Sequence, residues 1–172
     1  LNTNLFRRLT TEMKTFESEG VYAEFAAFGM KGFDFLQRMN APIIAKIVPM
    51  GDRPTSSQMI GPVKLVMDHF LNGEVDAVYL AYTRFINTMQ QEPVFEQVLP
   101  MTEASLEDDT LHIDHTWEYI FEPDKKSVLN DLFRRYIEHL NYQAVAENNA
   151  SEQSARMVAM KAASDNADRM ID

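Results

Sequence analysis

The chain has no cysteine. Disulfides, zinc–thiolate sites and thiol catalysis are therefore excluded. Positive charge is scarce: 16 Lys and Arg stand against 26 Asp and Glu, for a formal net charge of -10. Nucleic-acid binding and adsorption to an anionic membrane both need clustered Lys and Arg, so the balance argues against either. No apolar run approaches the roughly 20 residues of a membrane span, and no signal-peptide pattern is visible. The chain begins with Leu1 and not Met, so a preceding segment is expected. The most telling absence is that of glycine and proline from Asp124 to Asp172. As one helix those roughly 49 residues would be about 73 Å long, at about 1.5 Å per residue. A chain of 172 residues makes one domain plus an extension. It cannot bury such a helix along its whole length, so the far half is expected to project and to lie against something else.

The first half of the chain reads as alternating helix and strand. Asn2, Thr3 and Asn4 are good N-cap residues, Leu5, Leu9, Met13 and Phe16 follow at helical spacing, and Gly20 ends the run. Residues 21–28 are β-prone. Residues 31–40 form a second helix with Phe33, Leu36 and Met39 near one face, and Ile43 to Val48 form a second strand. Ser56 or Ser57 is expected to cap a third helix, which carries Met59, Val63, Val66, Met67 and Phe70 and stops at Asn72-Gly73. Ala77 to Tyr82 is the best strand, Val94 to Leu99 looks like an added one, and Trp117 to Phe121 a last short one. Strand–helix–strand–helix–strand order predicts parallel strands with right-handed crossovers. The expected fold is α/β, a Rossmann-like, mainly parallel sheet with flanking helices. Residues 1–121 would be the head and 122–172 the long helix.

That helix has two characters. Val128, Leu129, Leu132, Phe133, Tyr136, Ile137 and Leu140 make a wide apolar stripe suited to a sheet. Beyond Tyr142 alanines take over, and Ala155, Val158, Ala162 and Asp165 trace a narrow seam. Small residues on such a seam allow another helix to approach closely.

Chemical motifs are sparse. His112-Ile-Asp-His115, near Asp108, Asp109 and Asp114, has metal-ligand residue types. No helix fixes the two imidazoles on one face, so a solvated acidic loop is the better reading, and no metal or cofactor site is expected. Gly29-Met30-Lys31-Gly32 lies between a strand and a helix, where phosphates bind in dinucleotide folds. The full glycine fingerprint is missing, so a tight turn explains these glycines better. No nucleophile–base set and no paired carboxylates can be argued, and no catalytic residue is expected. Arg134, Arg135, Tyr136 and Glu138 admit two readings. One is a solvated face with an Arg134–Glu138 pair; the other is a docking patch, since Arg and aromatics are enriched at interfaces.

Five segments in order resemble the gamma subunit of bacterial F-type ATP synthase: residues 1–6, 59–64, 85–89, 117–124 and, most specifically, Ala150-Ser-Glu-Gln-Ser-Ala-Arg-Met-Val-Ala-Met-Lys-Ala-Ala-Ser-Asp-Asn-Ala167. The resemblance implies a non-catalytic central-stalk rotor. It would couple proton flow to ATP synthesis by turning inside the catalytic alpha/beta hexamer, with its head beside the membrane c-ring. It would be peripheral, on the cytoplasmic face of the bacterial inner membrane. By position, Arg134, Arg135, Tyr136, Glu138 and Tyr142 resemble the foot that meets the epsilon subunit and the ring. Glu152, Gln153, Arg156, Met160, Lys161, Asp165 and Asn166 resemble the start of the shaft, one half of an antiparallel coiled coil.

The family pattern also implies a helix, a strand and a glycine-rich turn ahead of Leu1, and a longer helix after Asp172. The strand would lie in the middle of the sheet, so its two neighbours are expected to lack a partner unless elements swap or the sheet closes up. Two other functions fit the residues. A small α/β nucleotide-binding domain or enzyme with a helical oligomerisation arm would bind nucleotide near Lys31. A helical adaptor with an inert head would bind through Ala155–Ala162.

Overall fold

A computed structural model describes residues 2–51, 54–101 and 125–171. The elements are α1 (Asn2–Ser18), β1 (Phe25–Phe28), α2 (Met30–Arg38), β2 (Ile43–Ile47), α3 (Ser56–Leu71), β3 (Val78–Phe85), β4 (Gln91–Leu99) and α4 (Lys125–Ile171). The expected acidic loop with its two histidines, and the expected strand Trp117 to Phe121, fall outside the described residues.

The first three helices end the same way, as local sequence chemistry dictates. Each last turn passes into a residue with positive φ: Gly20 (74°), Asn40 (52°) and Gly73 (73°). The next N–H then reaches back five residues: Val21 to the Phe16 carbonyl (2.8 Å), Ala41 to Leu36 (3.0 Å), Glu74 to His69 (2.9 Å). A left-handed residue satisfies carbonyls that the helix end would otherwise orphan, and Gly or Asn adopts it at least cost. The start of α3 lies one residue earlier than expected. Thr55 is the cap, and its N–H donates to Gln58 Oε1 at 3.1 Å.

β1 and β2 pair in parallel, as the βαβ pattern predicts, whereas β3 and β4 form an antiparallel hairpin. The hairpin is longer than the sequence indicated at both strands. Its turn is built by Asn87, whose Oδ1 accepts the N–H groups of Met89 (2.9 Å) and Gln90 (2.8 Å). That side-chain mimicry of a backbone turn is a local device that hydrophobic alternation does not signal. The two strand pairs are not hydrogen-bonded to each other, so β1 and β3 each present an edge that pairs with no strand among the described residues. Among the described residues no single continuous sheet forms. The class remains α/β, with flanking helices and a long C-terminal helix.

Helices hold the two pairs together. On one side Met59, Val63 and Met67 of α3 are buried with Val98 of β4 and Ile137 of α4. Phe28 and Ile47 from the parallel pair, and Leu80 and Leu99 from the hairpin, pack around that cluster. On the other side α1 bridges. Phe6 stacks on Phe35 of α2 at 4.3 Å, while Phe16 meets Tyr79 (5.6 Å) and Phe95 (6.1 Å) of the hairpin. No residue of α1 is fully buried, so α3 carries most of the core. The Lys46 ammonium lies over the Phe33 ring at 4.4 Å. His69 Nδ1 lies 3.2 Å from Glu24 and 3.5 Å from Glu74, which ties the end of α3 to the approach to β1.

Met59 is the most deeply buried large side chain, at 2% exposed, and sits where both strand pairs meet α3. Truncation there leaves a cavity that neighbours on three elements cannot fill. Met59→Ala is expected to cost about 2–5 kcal/mol, read as a lowered urea midpoint. A cost below about 1 kcal/mol would show that the centre of the core lies elsewhere.

Candidate docking surface on the long helix

Residues seven apart on a helix return to nearly the same face after two turns. Ile137, Ala144 and Ser151 are such a row in α4, and all three are buried. The row faces α3 and β3. Two hydrogen bonds then fasten the helix to the main chain of β3. Ser151 Oγ donates to the Thr83 carbonyl at 3.3 Å, and the Phe85 N–H donates to Glu147 Oε2 at 3.3 Å. Gln143 Nε2 donates to the other Glu147 oxygen at 3.0 Å and holds that carboxylate in place. The Thr83 carbonyl and the Phe85 N–H both point away from β4, so Ser151 and Glu147 satisfy groups on the edge of β3 that no described strand reaches.

Past Ser151 the helix leaves the body. Ser154 and Ala155 are half-buried, and residues 156–170 are all exposed. The row of sevens nevertheless continues through Val158 and Asp165, flanked by Ala155 and Ala162. The face buried on the head and the bare alanine seam are thus one continuous helix face.

The expected site residues divide accordingly. Arg134, Arg135 and Tyr136 are exposed before the seat; within it Glu138 is half-buried and Tyr142 is exposed. No ion pair joins Arg134 to Glu138 among the described residues. Glu152, Gln153 and Arg156 are brought together just after the seat. Arg156 Nη2 lies 2.7 Å from Glu152 Oε1, and its Nη1 donates to Gln153 Oε1 at 3.1 Å. Met160, Lys161, Asp165 and Asn166 follow along the bare arm, all exposed.

One expectation is corrected. The apolar stripe was to lie on the sheet, yet Leu132 is 61% and Phe133 45% exposed. Leu132 and Tyr136 lie well round the helix from the buried row, at about 100° per residue. Phe133 lies on that row's side but ahead of the point where α4 meets the body. Together with Arg134, Arg135 and Tyr136 these two side chains make an apolar patch rimmed by cations, the composition expected of an interface. The excess width of the stripe was the signal available in the sequence.

The hairpin carries a charged network near this seat. The Tyr82 hydroxyl donates to Glu96 Oε1 at 3.0 Å, and Arg84 Nη2 donates to the Tyr82 oxygen (3.1 Å) and to Glu96 Oε2 (3.0 Å). Burial pushes the Tyr82 phenol up, and the Arg84 hydrogen bond opposes that shift. The bond to Tyr82 in turn holds the Arg84 guanidinium more firmly protonated.

The strand-to-helix turn at Gly29 has positive φ (89°), as a tight turn at a glycine allows. Its N–H donates to the Ile47 carbonyl of β2 at 3.0 Å and so ties the turn to the parallel pair. No described helix is long and apolar enough to cross a membrane.

The profile of the ATP synthase family matches residues 1–172, the whole chain. The chain belongs to the ATP synthase gamma family. It is 54% identical over 172 residues to the ATP synthase gamma chain of Cupriavidus pinatubonensis (strain JMP 134 / LMG 1197), covering 99% of this chain and 59% of that one. It is 53% identical over 172 residues to that of Dechloromonas aromatica (strain RCB), covering 99% and 58%. The chain thus spans a little under three fifths of the gamma chains it matches. In fold it is similar to a chain in the central stalk/c-ring structure of the Tetrahymena thermophila mitochondrial ATP synthase. There the TM-score is 0.57 at 24% identity, over 80% of this chain and 58% of that one. A rotor chain of the Euglena gracilis mitochondrial ATP synthase gives 0.55 at 20% identity, over 94% and 63%.

Two measurements test this geometry. A group whose pKa is raised on folding contributes stability that is whole below its unfolded value and lost as pH rises through its folded value. The urea midpoint is therefore expected to fall above about pH 10 more steeply in the wild type than in Tyr82→Phe. Parallel alkaline limbs would refute the buried phenol. The Thr83 hydroxyl is buried with no partner among the described residues. An apolar isostere loses nothing there, so Thr83→Val is expected to be neutral or to stabilise by up to about 1 kcal/mol. Clear destabilisation would mean that the hydroxyl has a partner in solution.

Proposed function

We propose that this chain forms the head and the root of the shaft of a central-stalk rotor in a proton-translocating F-type ATP synthase. Residues 1–121 form the head and 122–172 the start of the shaft. The subunit makes and breaks no bonds itself. Its contribution is mechanical: proton flow through the c-ring turns the head, and the asymmetric shaft presses in turn on each catalytic site of the alpha/beta hexamer. Each orientation favours one conformation of a neighbour through differential contacts, a population shift driven by rotation.

The observation that carries this reading is the division of α4. Its first part is seated on the head through Ile137, Ala144 and Ser151, and the same helix face then runs on bare for about four turns, at about 3.6 residues per turn. A face patterned for close helix packing, continuous with a packed one, suits a shaft that enters a surrounding assembly. The patch of Leu132, Phe133, Arg134, Arg135 and Tyr136 with Glu138 and Tyr142 is the docking surface for the epsilon subunit and the ring. Glu152, Gln153, Arg156, Met160, Lys161, Asp165 and Asn166 are the shaft's first contacts with its partners. The complex places the subunit at the cytoplasmic face of the bacterial inner membrane without a span of its own.

Mixing the chain with a bacterial epsilon subunit tests the docking assignment. Size-exclusion chromatography with light scattering is expected to show a one-to-one complex, lost in Arg135→Ala/Tyr136→Ala at unchanged circular dichroism. A folded wild-type chain that ignores epsilon, or a double variant that still binds it, overturns the assignment.

A further inference from the structure

Resting on the rotor reading, we propose that Glu147 and Ser151 form the joint that carries rotation between the head and the bare part of α4. Apolar burial at Ile137 and Ala144 holds the helix against the head, but such contact is non-directional and resists sliding or rolling weakly. Hydrogen bonds are directional. Two of them, from side chains one turn apart on α4 to main-chain groups two residues apart on β3, fix both the axial position and the rotation of the helix.

The spacings match. Four helical residues rise about 6 Å, and two strand residues rise about 6.6 Å. The pairs Glu147–Phe85 and Ser151–Thr83 therefore form a two-rung ladder between helix and strand. The rungs are braced. Gln143 holds the free oxygen of Glu147. Ser151 is wholly buried, and Ala144 lets the backbones approach. Ser151 is also the last buried residue of α4. A twist applied to the arm therefore meets its first directional resistance at this rung. The other two buried members of the row, Ile137 and Ala144, are apolar, and a polar residue at Ser151 is unnecessary for burial alone. Here it meets a carbonyl on the edge of β3 that faces away from β4 and that no described strand reaches.

The test uses an ATP synthase complex whose gamma subunit carries this sequence, with Ser151→Val/Glu147→Leu, which keeps bulk and removes both rungs. Gamma content and ATP hydrolysis are expected to stay at wild-type levels. Protons pumped per ATP hydrolysed against an imposed gradient should fall about twofold or more, the range of a modest coupling energy. Ser151→Thr/Glu147→Gln retains a donor and an acceptor and is expected to restore the ratio. An unchanged ratio in the Val/Leu variant overturns the joint. So does a loss of pumping and hydrolysis in proportion to lost gamma subunit, which marks a merely structural pair. A wild-type complex that hydrolyses ATP without any pumping coupled to this subunit would instead refute the rotor reading itself.

Discussion

Ile137 sets the position of everything beyond it. A helix of 47 residues is far longer than the body it leaves, so only a short stretch can be buried. The stretch that wins carries a large apolar side chain followed by two small ones at heptad spacing. Ile137 enters the cluster of Met59, Val63, Met67 and Val98, and Ala144 and Ser151 then let the helix lie close along β3. Shifting this contact by one residue would turn the alanine seam about 100° away from its present direction. The aim of the projecting arm is thus decided by one apolar insertion and two polar rungs near the middle of α4.

The same economy governs the body. Two small strand pairs share no ladder, and neither could stand alone, since an isolated pair of strands is marginal in water. α3 joins them by burying Phe28 and Ile47 from one pair with Leu80 and Leu99 from the other. α1 spans them on the opposite side through aromatic contacts at its two ends. The head is therefore held by helices crossing a break in the sheet. Its cohesion depends on few deeply buried side chains, Met59 foremost.

Much of this was legible in the residues. The helix ends at Gly20, Asn40 and Gly73 follow from local steric preference, which needs no knowledge of the fold. The parallel pairing of β1 with β2 follows from the βαβ order. The hairpin was less legible, because its turn rests on one asparagine side chain and its first strand runs on through Arg84, an exposed charge that breaks the apolar run. The apolar stripe of α4 showed that burial was available but not where the body would meet it, and so Leu132 and Phe133 were misplaced. Ser151 looked like one more small residue. Its role depends on the Thr83 carbonyl, 68 positions away in the chain.

What the sequence determined alone is what short-range physics controls: helix periods and stops, the absence of thiol chemistry, the acidic balance, and an unbroken helix from Lys125 onward. The family was legible as well, since the run from Ala150 to Ala167 is specific enough to carry it. Tertiary structure alone decided which part of the long helix is seated, which part is bare, and that the strands pair two by two. Those outcomes depend on contacts between residues far apart in the chain. Their free energies are differences between competing burials, which no local pattern encodes.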